Sequence, residues 1–212
     1  MEKTRMTIDF KPVLEGRMQM LEFSRRFSVQ DLGRATNDSI DLLLNIIKDM
    51  NDADIVFAPF DPEANDPYAK PGEEHIGWGI GHLIAHVTAT CEEWAAYSSL
   101  LARGIPYPAE PRLRYETPWR DVDTKAKAVQ RLEESRRIRL GYLATWPDKP
   151  NLEVKRELSP RFIERVGEMN APAAFLFGLK HEVGHYDQFR EVARQIDEAK
   201  RGTAAAAAAA GN

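Results

Sequence analysis

The chain has 212 residues, 43% apolar and 29% charged, a formal net charge of −4 and one cysteine, Cys91. That is enough for one domain with a substantial core, and the acidic balance excludes the electrostatic footprint of a nucleic-acid or anionic-membrane binder. A lone cysteine excludes an intrachain disulfide, no apolar run reaches the ~20 residues of a transmembrane helix, and the start, MEKTRMTIDF, has no apolar signal region, so the reducing cytoplasm is the expected compartment.

Residues 1–27 read as an N-terminal arm or short helix, with Met18, Met20, Leu21 and Phe23 available to pack on the body. Ser28 then looks like an N-cap, and a helix is predicted to about Asp49, with Leu32, Ile40, Leu43, Leu44 and Ile47 at helical spacing. Four prolines among many Asp and Asn make residues 51–74 a long loop. Loops of that length usually serve function, so it is the candidate lid, with its tip at Asp61 to Tyr68. A second long helix is predicted from about Ile76 to Arg103, and Gly77, Gly79 and Gly81 near its start imply close backbone packing or a late start. Cys91, on this helix beside two glutamates, reads as a small core residue rather than a nucleophile.

A Pro-rich loop, GIPYPAEPRLRYETPW, leads to a third long helix over about Thr124 to Thr145. Its core candidates are Val129, Leu132, Ile138 and Leu143, while Arg131, Arg136, Arg137 and Arg139, balanced by Glu133 and Glu134, read as a solvated face. Residues 147–171 are irregular, with LEVKREL a short strand or an extended crossover. A fourth long helix is predicted from about Pro172 to Lys200. The alanine-rich residues 202–212 are expected to be a disordered tail. Four long helices with long connections predict an all-α antiparallel four-helix bundle over residues 28–201.

Four of the five histidines fall in two i,i+4 pairs, His82 with His86 and His181 with His185. Residues four apart share a helix face, so each pair can aim two imidazoles at one point. A metal site across the bundle and ordinary structural histidines are the two readings. His75, ahead of the second long helix, is not expected to be a ligand. His181-Glu182-Val183-Gly184-His185 also matches HExxH, in which the Glu of zinc proteases is the general base. The context argues against a protease: Gln188 and Glu191 stand where the metzincin extension needs Gly and His, and no second helix follows to supply a glutamate ligand. Glu182 is expected on the helix surface, with a catalytic role as the alternative. Gln188 could orient a water or substrate, or lie on the surface. Trp78, Trp94 and Trp119 are read as core packing that could also wall a pocket. If a third ligand exists, it should come from the second long helix.

Three local matches carry a resemblance: Trp78 followed by His86 within an apolar run, His181-x-x-x-His185-x-x-Gln188, and a long irregular crossover before the last helix. In this the chain resembles the DinB-like superfamily of bacterial metal-binding four-helix bundles over about residues 28–200. The resemblance implies His86, His181 and His185 as ligands of one divalent ion, Zn²⁺, Ni²⁺ or Fe²⁺. His82 is the alternate for His86, because Gly77-Trp78 before His82 also fits a pattern of some relatives; it could instead serve in proton transfer. By resemblance the expected activity is a metal-dependent thiol S-transferase or hydrolase acting on a small molecule, such as a low-molecular-weight thiol. The alternative is a non-catalytic stress-response or interaction bundle with a structural or vestigial site. The apolar first helix and arm make a homodimer an expectation.

Overall fold

The computed structural model describes residues 8–210; residues 1–7 of the expected arm and Gly211–Asn212 of the tail lie outside the described residues. All regular structure among them is helical: α1 (Lys11–Leu14), α2 (Met20–Ser24), α3 (Val29–Ile46), α4 (Asp52–Ile55), α5 (Ile80–Ala102), α6 (Lys125–Ala144), α7 (Pro160–Val166), α8 (Ala171–Gly184) and α9 (Tyr186–Ala210), with a 3-10 turn at Trp119–Asp121. The helical bundle predicted from the sequence is present. Among the described residues, no helix is long and apolar enough to cross a membrane.

Local chemistry accounts for the starts. Ser28 and Asp31 form a capping box at α3, and the Thr124 and Asn170 side chains cap α6 and α8. The α5 start moves from Ile76 to Ile80, because the glycine run before it lies flat on other backbone. A Cβ on Gly77 would stand 2.6 Å from the Pro59 carbonyl oxygen, and one on Gly79 would stand 2.5 Å from that of Phe57. Both explanations offered for the glycines, a late start and close packing, therefore hold.

Cross-contacts give the helix directions. Asn37 and Asp41 of α3 meet Arg136 of α6, and Lys48 meets Lys125, so α3 and α6 are antiparallel. Glu92 meets Arg131 and Ser99 meets Thr145, so α5 and α6 run parallel. His86 faces His181 and Trp94 faces Phe177, so α5 and α8 are antiparallel. The parallel α5–α6 pair needs a connection that returns along the bundle, which is the work of the Pro-rich segment 103–124. Two apolar clusters fill the interior, one around Phe23, Tyr97 and Phe175, the other around Ile40, Leu83 and Phe189.

Of the two readings of LEVKREL the extended crossover holds; Arg156 within it is buried, with its N–H donating to the Met169 carbonyl at 2.8 Å, and α7 follows where none was predicted. Four expectations need correction. The arginine cluster of α6 is not a solvated face. Only Arg137 is exposed, Arg139 is 1% exposed, and the buried stripe is Ala128, Leu132, Ser135, Arg139 and Leu143. Ile138, expected in the core, is exposed, because the stripe passes one residue to its side. The last long helix is two helices meeting at His185, and α9 continues through the alanine tract to Ala210 where a disordered tail is expected; alanine is the best helix former.

Candidate metal centre

Three histidines from two helices and a joint converge. His86 stands on α5, His181 on α8 and His185 at the junction of α8 and α9. One ring nitrogen from each lies within 4.8 Å of the others. The Nε2 atoms of His86 and His181 are 2.9 Å apart. Gly178 permits the approach: a Cβ there would stand 3.2 Å from both the Cys91 Cα and the Trp94 Cβ of α5. A larger residue would wedge α8 away from His86.

The junction at His185 matters for aim. Its N–H bonds to the Glu182 carbonyl at 3.0 Å, closing a tight turn, and the Phe189 N–H then bonds to the His185 carbonyl at 3.0 Å. The chain thus changes pitch at a site residue, as functional helices often do.

Polar neighbours orient the rings. His185 Nδ1 donates to Gln188 Oε1 at 2.9 Å, which leaves Nε2 as the lone-pair nitrogen. Gln188 is therefore taken up by a histidine rather than by solvent or substrate. Nδ1 of His86 lies 3.7 Å from Glu116 Oε1 and 3.5 Å from Arg114 Nη2, and Arg114 and Glu116 pair at 2.5 Å. Burial pushes the Glu116 carboxyl up, but His86 and Arg114 outweigh it and hold the group at about 2. Burial, then the neighbouring His185 and His86, depress His181 to about 3, and burial lowers His185 as well. Both are neutral near pH 7, the protonation state that donates a lone pair to a metal. Three imidazoles that fit one divalent ion are the donor set of an open, catalytic-type site.

His82 goes elsewhere. Its ring is stacked between Trp78, at 4.4 Å and 27°, and Trp119, at 4.8 Å and 4°. Its Nδ1 is buried and has no hydrogen-bond partner, and burial depresses the ring to about 4. Trp78 also lies against His86 and His185, with centroids 4.6 and 6.0 Å away. Trp78 and Trp119 thus wall the site; Trp94 does both jobs, being buried in the core and facing the cavity.

The histidines floor a cavity of about 1090 Å³. His86 and His181 line it, together with Glu93, Arg112 and Arg114 and the packed rings of Trp94, Phe162 and Phe177. From the predicted lid, Asp66, Tyr68, Lys70 and Glu73 stand at its edge. His75 is not among the histidines brought together; it is exposed, with Nδ1 2.8 Å from the Ala64 carbonyl oxygen.

Glu182 overturns its surface assignment. It is 0% exposed, and its carboxylate is engaged by Arg139 at 2.8 Å, far from the role of a general base facing the cavity. One hundred degrees of helical turn per residue separates it from His181. Cys91 is buried as expected, with its thiol 3.1 Å from the Gly178 carbonyl and pushed up by burial.

Sequence reasoning missed Glu93, Arg112, Arg114, Glu116 and Arg156. For Arg112, Arg114 and Glu116 a signal exists: they alternate in RLRYE, and an extended chain puts such residues on one side. Arg156, whose guanidinium lies 3.4 Å from the Tyr97 ring centroid, has the same signal: it shares the alternating side of LEVKREL with Val154 and Leu158, which pack on the core.

No curated protein and no solved structure matches the chain. A family profile, that of the DinB superfamily, matches residues 35–189. That span takes in the C-terminal two thirds of α3, the glycine run, the site histidines and the crossovers, and it covers well over half of the sequence, so the chain belongs to the DinB superfamily.

Proposed function

We propose that the protein is a metal-dependent enzyme in which His86, His181 and His185 hold one divalent ion, Zn²⁺, Ni²⁺ or Fe²⁺. The observation that carries this reading is the convergence of three ring nitrogens within 4.8 Å, with two of the three histidines, His86 and His181, lining a large open cavity. A structural ion would instead call for a closed donor set. When bound, such an ion supplies Lewis-acid activation of a water or a thiol.

The chain's own residues provide the rest. Gln188 fixes the His185 tautomer, and Glu116 stands 3.7 Å from His86 Nδ1, where its charge favours a cation at the site. Trp78 covers three of the imidazoles and keeps bulk water from that side. The aromatic wall and the rim arginines make room for a small molecule rather than a polymer. A hydrolase or a transferase using a low-molecular-weight thiol fits this arrangement.

Elemental analysis of protein made without a His tag tests the reading. Near-stoichiometric metal in the wild type and none in His181→Ala/His185→Ala is expected. No uptake by the wild type after incubation with Zn²⁺, Ni²⁺ and Fe²⁺ would refute it.

A further inference from the structure

Glu182 sits in sequence between two of the candidate ligands but faces the bundle core. Its carboxylate joins the whole bundle at one point. Arg139 of α6 pairs with it at 2.8 Å, the Ser39 hydroxyl of α3 donates a short hydrogen bond, and the Tyr186 hydroxyl of α9 donates at 3.3 Å. The Cys91 thiol of α5 reaches it at 3.4 Å. Arg139 is itself anchored, with Nε donating to Ser135 Oγ at 3.0 Å.

Stability is a poor explanation for this arrangement. Replacing a buried ion pair by apolar residues of similar size is often neutral or stabilising, because removing two charges from water is costly. What the pair does have is location. The Glu182 carbonyl accepts the bond that closes the turn at His185, so the residue that clamps α3, α5 and α6 also forms the α8–α9 joint.

We infer that the Glu182–Arg139 pair positions the metal ligands: it pins the α8–α9 joint to three helices and so sets the directions of His181 and His185 without touching the ion. This rests on the three-histidine metal reading. Glu182 is a positioning residue, the part of the HExxH pattern that works from behind the site.

Cobalt(II) titration tests it, read by visible absorption for coordination geometry and by affinity, with circular dichroism and thermal melting for the fold. The variant is Arg139→Met/Glu182→Met, which removes both charges together. The expected result is a folded protein, melting near or above the wild type, that binds cobalt at least about tenfold more weakly with an altered spectrum. If the double variant does not fold, Ser39→Ala and Tyr186→Phe decide, since each removes one hydrogen bond to the same carboxylate. Cobalt affinity about threefold or more below wild type is then expected of each. Wild-type affinity and spectrum in the folded variants would overturn the inference alone. A wild type that takes up no cobalt would overturn the metal reading and this inference with it.

Discussion

Two histidine pairs with the same spacing end in different places. On α8 and at its junction with α9, His181 and His185 both reach the centre; on α5, His86 reaches it and His82 is held between two indoles. Spacing of four aligns side chains on a face but leaves them about 6 Å apart along the axis. Converging two such residues on one point takes something more. At α8–α9 the tight turn at His185 supplies it; α5 runs through His82 and His86 without a break. The face of a helix is therefore written in the spacing, while the focus of that face is set by what bends or covers it.

The comparison breaks most sharply in metal content. His181→Ala and His86→Ala are expected to fall from about one ion per chain to almost none, while His82→Ala keeps its ion. Elemental analysis of the three, purified side by side, checks this; loss in all three would make the α5 pair act like its counterpart. Next in size is Gln188→Leu, which frees His185 Nδ1 and is expected to weaken metal affinity by roughly 10–100-fold in a competition titration. Gly81→Ala follows: its Cβ would run into the Val122 carbonyl oxygen and shift the start of α5. Chemical denaturation should show a loss of about 1–3 kcal/mol.

The smallest effect concerns pH. His82 is held at about 4 in the fold against 6.5 when unfolded. Between these values the unfolded chain binds more protons, so stability falls as pH drops from 6.5 toward 4. Metal-stripped protein should lose several degrees of melting temperature across that window, a loss to which the depressed His181 and His185 also contribute, and His82→Phe should remove its own share and make the slope shallower. An unchanged slope would mean that His82 is charged between its indoles.

Much of the fold can be read from residue order alone. Ser28, Thr124 and the apolar stripes mark three helices closely, since caps and periodicity are local. The histidines of the site are equally visible because their spacing is local too. What escaped are contacts between distant segments. Arg139 looks like one more surface cation in an arginine-rich run, and only Glu182, on another helix, makes its burial possible. The same holds for Glu182, whose partners come from α3, α5, α6 and α9. Arg156, a charge on the apolar side of an alternating segment, is buried by Tyr97 and by the Pro108 and Ala109 carbonyls of another loop.

One further contact bears on how the loop over residues 51–74 is held. Gln195 of α9 holds the backbone of Phe60 from both sides, donating to its carbonyl at 3.0 Å and accepting from its N–H at 2.8 Å. Both bonds are exposed. Breaking them exposes little apolar surface and disturbs no core helix, so release of the loop is a local opening with a far lower free energy than global unfolding. Exchange of the Phe60 amide with heavy water would then run on its own clock, faster than the amides of α5, and would report the opening of this loop apart from the rest of the fold.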